Sequence, residues 1–309
     1  MINNQKIGFL FPGQGAQKIG MGFDFYSEYP FVKQWYDSLE DQTIVNACFD
    51  GPIEKLTQTN ITQPAIFLTS YMISQVLKQH NIRPHMVTGL SLGELTALTY
   101  AQGLSFSDAY SLVQLRGELM QNSLVDQSTS MIAVLGCDKD IASRVCREVS
   151  SFGVCEIAIF SYPNQVVLTG HSNALQKASE LCKQYKAKRV IPLHVAKAFH
   201  SSLLKKASTL FLEHCKQFTF NNFVVPVVFN STAKSETDNI AKLIANQISS
   251  TVYFQQSIEY MIQQGIQHFI EIGPGQTLSG YVRKIDPSVS TFSIEKVKDI
   301  DTYLKENYY

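Results

Sequence analysis

Two kinds of apolar pattern alternate along the chain. Short runs closed by glycine or proline read as buried strands, and longer runs with apolar positions at helical spacing read as the helices between them. Ile7–Phe11 ends at Pro12-Gly13-Gln14-Gly15, which predicts a buried strand running into a tight turn. Met86–Thr88, Val224–Phe229 and Phe269–Ile272 are further strands, the last stopped by Gly273-Pro274-Gly275. Thr62-Gln63-Pro64 opens a helix with proline near its first turn, and Ile66, Phe67, Met72, Ile73, Val76 and Leu77 give it a wide apolar face. Other helices are expected over about Ser107–Asn122, Ser202–Phe218 and Ile240–Ser249. Residues 20 to 60 read as short helices whose aromatics (Phe23, Tyr26, Tyr29, Phe31, Trp35) suit a cover over a core. Lys296 to Tyr309 is charged and predicts a loosely packed final helix.

The texture changes between Ser128 and about Val195. Strands over Met131–Gly136, Cys155–Phe160, Gln165–Thr169 and Lys188–Leu193 enclose helices over Asp140–Val149 and Asn173–Tyr185. The order βαββαβ is the ferredoxin-like pattern, here inserted into a larger α/β unit. Cys155, Ile157 and Ile159 alternate with Glu156 and Ala158, as on an antiparallel sheet covered on one side. The expected division is a large domain of residues 1–127 and 197–309 with a small subdomain of 128–196.

Composition narrows the field. The chain has 309 residues, 45% hydrophobic and 17% charged, with a formal net charge of zero. That suits a soluble globular protein with a sizeable core and argues against bulk nucleic-acid binding. Six scattered cysteines form no Cys-x-x-Cys pair and no metal spacing with histidine, so they read as reduced core residues in a cytoplasmic protein. No apolar run approaches the ~20 residues of a membrane span, and the first residues lack a signal-peptide pattern.

The candidate chemistry centres on Gly89-Leu90-Ser91-Leu92-Gly93, which follows an apolar strand and precedes a periodic segment, Glu94 to Gln102. A Gly-x-Ser-x-Gly turn between strand and helix places its serine at a helix N-terminus above a sheet. Ser91 is the candidate nucleophile, and the Leu92 N–H a candidate oxyanion donor. Gln14 lies at another strand end, where ligands of open α/β sheets gather. Ser91 needs a base. Of the seven histidines, His80 and His85 flank the strand at its wrong end, His214 lies along a helix and His171 belongs to the insertion. His194 and His200 fall at the seam between domains, where clefts form. His200, just before a helix, is the choice. Arg116 interrupts an apolar face of Leu112, Leu115 and Leu119. A buried guanidinium needs a partner, so either an internal carboxylate or a ligand carboxylate meets it.

Together these motifs resemble the malonyl-CoA:acyl carrier protein transacylase family over essentially the whole chain. The shared features are Pro12-Gly13-Gln14-Gly15, Gln63-Pro64-Ala65, the serine turn followed by Glu94, the arginine 25 residues beyond Ser91, Ala198-Phe199-His200-Ser201 and Gly273-Pro274-Gly275. The resemblance implies an α/β-hydrolase-like core with a ferredoxin-like insertion. It implies Ser91 as the acylated residue, His200 as its base and the Gln247 backbone carbonyl as the group orienting His200. It further implies an oxyanion hole from Gln14 and Leu92, and Arg116 as a clamp for the malonyl carboxylate. Phe199 is similar to the family's marker for malonyl over methylmalonyl, and Met120 is expected to line the acyl pocket. Two positions depart from the pattern. Leu90 replaces a usual histidine, which resembles free-standing transacylases of polyketide assembly lines, and Ser161 replaces an asparagine expected near the substrate.

The implied reaction is ping-pong transfer from malonyl-CoA to an acyl carrier protein, without metal or bound cofactor, by a monomer serving polyketide or fatty-acid synthesis. Lys183, Lys186, Lys188, Arg189, Lys205 and Lys206 are expected to receive the acidic carrier. Two other readings are an editing hydrolase of the same fold and a non-catalytic docking member of the assembly line. Arg116 argues against the first, and the complete set Ser91, His200 and Arg116 against the second.

Overall fold

The structure, a computed structural model, describes residues 5–193 and 197–308. Ten strands occur among these residues: β1 (Lys6–Phe11), β2 (Met86–Gly89), β3 (Thr129–Leu135), β4 (Cys155–Tyr162), β5 (Gln165–His171), β6 (Arg189–Pro192), β7 (Val228–Phe229), β8 (Lys234–Ser235), β9 (Ile266–Ile272) and β10 (Ser290–Ile294). They form a parallel sheet in the order β10-β9-β1-β2, an antiparallel sheet in the order β4-β5-β3-β6, and a β7-β8 ribbon.

The parallel sheet is covered on both faces, which is why its strands read as continuous apolar runs. In β1, Ile7, Phe9 and Phe11 enter the main core, and Leu10 enters a second cluster with Phe254, Met261 and Phe269 on the opposite face. The helix Leu92–Tyr100 is buried at every position. It therefore lacks the polar stripe that would mark a surface helix.

The second sheet has the strand order of a ferredoxin-like unit. The helices Lys139–Glu148 and Ser172–Gln184 cover one face around Val134, Val145, Leu168 and Ala178. Strand alternation sends Met131, Ala133 and Val167 to the other face, where they join the large core. Both faces are thus covered, and the simple alternation expected in β4 breaks at a register shift between Ile157 and Ile159. At this bulge the chain is stitched to the large unit: Val252 N–H donates to Ala158 O (2.8 Å), and Phe160 N–H donates to Val252 O (3.0 Å).

Three further expectations change. Val224–Phe229 is a strand only over its last two residues. Pro226 has no N–H to give a ladder, and Val224 is 65% exposed. The segment instead runs beside β2, its Pro226 carbonyl accepting from Val87 N–H at 2.9 Å. The helix expected to start at Thr62 runs over Thr59–Gln79, so Pro64 lies inside it. The final helix, Val297–Tyr308, is anchored by Ile300 and Tyr303, both buried. Among the described residues no helix is long and apolar enough to cross a membrane, and the six cysteines are free thiols.

Candidate active site

Four segments meet at the carboxyl end of the parallel sheet. After β2 the chain turns sharply, and Ser91 takes φ 54° and ψ −103° before the helix Leu92–Tyr100 begins. The turn requires its glycines. A Cβ on Gly89 would lie 2.0 Å from the Gly93 carbonyl carbon, and one on Gly93 would lie 2.0 Å from Phe11 O. Backbone and helix can approach this closely only without side chains.

Ser91 Oγ lies 2.8 Å from His200 Nε2. His200 Nδ1 lies 2.8 Å from the Gln247 carbonyl oxygen. A carbonyl only accepts, so Nδ1 carries the proton and Nε2 presents its lone pair to the serine hydroxyl. His200 is 4% exposed. Burial first, and then the charge of Arg116, lower its pKa to about 4. It is therefore a neutral base through the physiological range. Among the described residues no aspartate takes part in this arrangement, and a backbone carbonyl does the orienting.

Arg116, on the helix Phe106–Asn122, is 1% exposed. The two partners left open by the sequence were an internal and an external carboxylate. The structure supplies neutral amides instead. Nη1 donates to Gln63 Oε1 (2.7 Å), and Nη2 donates to Gln247 Oε1 (2.8 Å) and to Ser91 Oγ (3.1 Å). Gln63 Nε2 is turned to Met120 Sδ at 3.4 Å, which points the oxygen of Gln63 toward the guanidinium. Among the described residues no carboxylate pairs with Arg116, although the buried Glu94 opposes its desolvation from a distance. Burial lowers the Arg116 pKa to about 10, so the group remains a cation at neutral pH. A buried cation with satisfied geometry and no neutralising anion is a receptor for one.

A small cavity of about 90 Å³ joins these groups. Gln14, Leu90, Ser91, Leu92, Arg116, Met120, Phe199 and His200 line it, so eight of the residues singled out in the sequence come together. Leu92 opens its helix, where N–H groups lack a helical acceptor. Gln14 follows β1 and anchors its side chain on Thr59 Oγ1 (3.2 Å). Gln247 meets His200 and Arg116 outside that lining, and Ser161 stands apart from the group. It is buried next to the register shift between Phe160 and Tyr162, hydrogen-bonded to the Tyr281 phenol, and does not line the cavity.

Sequence reasoning missed several contributors. Met131, Ile159 and Leu193 of the small unit close one wall. Gln63 and the side chain of Gln247 hold the guanidinium, and Asn230 and Glu94 lie behind the turn. Glu94 carried the same signal as Arg116, a charge in an apolar stretch. His194 lies outside the described residues. Other histidines are engaged elsewhere: His85 Nδ1 accepts from Ile7 N–H (3.0 Å), and His171 Nδ1 accepts from Val154 N–H (2.9 Å). Among the described residues, no group of three or more His, Cys, Asp or Glu gathers as a metal site would require.

The sequence and the fold match those of known proteins. Residues 8–297 match the model of the acyl transferase domain. The malonyl CoA-acyl carrier protein transacylase of Bacillus subtilis is 37% identical over 302 residues, covering 96% of this chain and 95% of that protein. The crystal structure of the Clostridium perfringens protein of the same name superposes with a TM-score of 0.93 at 34% identity, covering 97% and 96% of the two chains. A malonyl-transacylase solved in complex with its type II polyketide synthase acyl-carrier protein also superposes at 0.93, with 31% identity over 98% of this chain and 100% of that one. With the turn, the histidine and the buried arginine set in a fold shared from end to end, this chain belongs to the acyl transferase family, among its malonyl-CoA–acyl carrier protein transacylases.

Proposed function

We propose that the protein transfers malonyl groups from malonyl-CoA to the phosphopantetheine thiol of an acyl carrier protein through an ester on Ser91. The observation that carries this reading is Arg116, a buried cation held by two neutral amides and bonded to Ser91 Oγ itself. An acyl group that brings its own carboxylate supplies the missing charge at the reacting atom.

In the first half-reaction, His200 Nε2 takes the Ser91 proton as Oγ attacks the thioester carbonyl. The oxyanion is received by the N–H groups of Gln14 and Leu92, each worth ~3–4 kcal/mol in such sites. Collapse expels the CoA thiolate, which leaves with the proton held by His200. Arg116 exchanges its bond to Ser91 Oγ for the malonyl carboxylate. In the second half-reaction the carrier thiol gives its proton to His200 and attacks the ester, and collapse expels the Ser91 oxygen, which takes that proton back from His200. Phe199 crowds an α-methyl group, so malonyl is preferred to methylmalonyl. Every step as written uses groups of one chain and the two thioesters, with no further cofactor, and the reaction belongs in the cytoplasm with malonyl-CoA.

Lys183, Lys186, Lys188, Arg189, Lys205 and Lys206 are exposed and make no ion pair among the described residues. They suit an acidic carrier.

Intact-protein mass after brief mixing with malonyl-CoA tests the proposal. A malonyl adduct should form, disappear in Ser91→Ala, fall by about 10²-fold in rate in Arg116→Ala, and move to added carrier protein. Lys205→Glu with Lys206→Glu should raise the KM for carrier and leave acylation unchanged. Release of the acyl group to water without transfer would make the protein an editing hydrolase instead.

A further inference from the structure

The Ser91 backbone is held in an uncommon conformation, and the helix it opens offers no side-chain cap to keep it there. The restraint comes from Asn230, just beyond β7 and fully buried. Asn230 Oδ1 accepts from Ser91 N–H at 2.7 Å, and Asn230 Nδ2 donates to Gly89 O at 2.8 Å. One side-chain amide therefore grips the turn on both sides of Leu90. Asn230 is itself fixed at both backbone groups. Its N–H donates to Glu94 Oε2, one turn into the serine's own helix, and its carbonyl accepts from Tyr253 N–H at 2.8 Å.

Gln247 completes the arrangement. Its Nε2 donates to Ser91 O (2.9 Å) and lies 3.3 Å from Asn230 Oδ1, while its Oε1 receives Arg116 and its backbone carbonyl receives His200. The Ser91 backbone is thus bonded at both N–H and C=O by side chains from outside its helix. Neither Asn230 nor Glu94 lines the acyl cavity, and the ring of His200 bonds to Ser91 and Gln247 instead.

We propose that Asn230 is a positioning residue for acyl transfer, which, braced by Glu94 and Gln247, holds the strained serine turn so that Oγ stays in line with His200. The inference rests on Ser91 as the acylated residue. It assigns to a buried amide, acting through the backbone, part of the ordering that an aspartate provides in a serine triad. The side chain acts on the turn and not on the acyl group, so its loss should slow every acyl donor alike.

The test is the rate of Ser91 acylation by malonyl-CoA and by acetyl-CoA in Asn230→Ala, Asn230→Asp and Glu94→Gln, with thermal melting recorded in parallel. Asn230→Ala should lower kcat by about 10²-fold, the usual result of displacing a reacting group by ~1 Å. KM should stay within threefold, and the ratio of malonyl to acetyl rates should not move. Asn230→Asp keeps the acceptor for Ser91 N–H but loses the donor to Gly89 O, and should recover about tenfold over the alanine variant. Glu94→Gln keeps an oxygen for Asn230 N–H and should lower kcat less than Asn230→Ala. Unaltered kcat in Asn230→Ala, or a collapse of the malonyl-to-acetyl ratio, overturns the proposal. If the alanine variant does not fold, Asn230→Asp decides: a kcat at least tenfold below the unmodified protein with an unmoved ratio supports it, and unaltered kcat overturns it. A folded, unmodified protein that forms no malonyl adduct would refute the transacylase reading itself, a result distinct from both.

Discussion

The parallel sheet carries a serine–histidine pair at each of its ends. At the carboxyl end Ser91 Oγ lies 2.8 Å from His200 Nε2, and at the amino end Ser290 Oγ lies 2.7 Å from His268 Nδ1. Both rings are buried, and burial lowers both to a pKa of about 4. A buried glutamate accompanies each half of the sheet, Glu94 behind the first pair and Glu271 at the far end of the strand that bears His268. Distance, and the burial and pKa of the rings, therefore do not tell these pairs apart. The surroundings do. Ser91 sits in a strained turn at a helix N-terminus, with Arg116 on its oxygen and a cavity before it, whereas Ser290 is the first residue of a regular strand. The second nitrogen of His200 is fixed by Gln247 O, while His268 Nε2 has no hydrogen-bond partner among the described residues and its ring stacks on Tyr303. A serine–histidine contact becomes a catalytic dyad only when the imidazole is oriented and the oxyanion has somewhere to go.

The largest expected effect sharpens this contrast. His200→Ala should slow acylation of Ser91 by about 10³-fold, within the range for loss of a general base. His268→Asn and Ser290→Ala should leave kcat for malonyl transfer within threefold. Steady-state transfer to carrier protein measures all three. A comparable loss in His268→Asn would mean that the two ends of the sheet are coupled.

The glutamates give the next contrast. Glu271 Oε1 accepts from Leu278 N–H (3.1 Å) and Oε2 from Ser279 N–H (2.7 Å), so both oxygens are engaged at the start of the helix Thr277–Ile285. Glu94 gives one oxygen to Asn230 N–H and otherwise has only the Gln247 side chain beside its carboxyl among the described residues. Glu271 thus has a complete structural explanation as a helix cap. Glu271→Ala should lower unfolding free energy by about 1–3 kcal/mol, the cost of leaving buried donors unpaired, with kcat intact in the folded fraction. Urea unfolding with parallel assays checks both parts.

How much of this was legible in the chain follows from the same accounting. Ser91, His200 and Arg116 each stand out locally, as a glycine-flanked serine, a histidine at a domain seam and a charge on an apolar face. The parallel strands were legible because burial on both faces leaves unbroken apolar runs. Asn230 gave no such signal: it follows a run read as a strand, and its task depends on Gly89, some 140 residues earlier in the chain. The amide partners of Arg116 were hidden for the same reason, since glutamines are common and only the tertiary fold shows which oxygens face a guanidinium. The β4 bulge records a contact with Val252 that strand alternation alone does not contain. Pro226 was visible, and its missing N–H explains why only Val228–Phe229 became a strand.

The smallest effect concerns pH and separates the two histidines by sign. Each is held near 4 in the folded chain, against 6.5 ordinarily, so the unfolded chain binds the proton first. The stability that a neutral buried histidine confers is present above pH 6.5 and is lost as pH falls toward 4. The glutamates run the other way. Burial raises Glu94 from 4.5 to about 7 and raises Glu271 as well, so their contribution is present below pH 4.5 and is lost as pH rises through the folded value. Between pH 4.5 and 6.5 the two kinds of group oppose each other, two against two, and the melting temperature of the unmodified protein should change little on their account. His268→Asn removes one contribution that rises with pH. Its melting temperature should therefore fall, relative to the unmodified protein, by at least ~2 °C between pH 4.5 and 6.5. The acid limb of malonyl transfer, set by His200, should stay near pH 4 in both proteins. Parallel melting curves would mean that water reaches the His268 ring, and an acid limb near 6.5 would mean that His200 is far more open than the geometry around Gln247 and Arg116 requires.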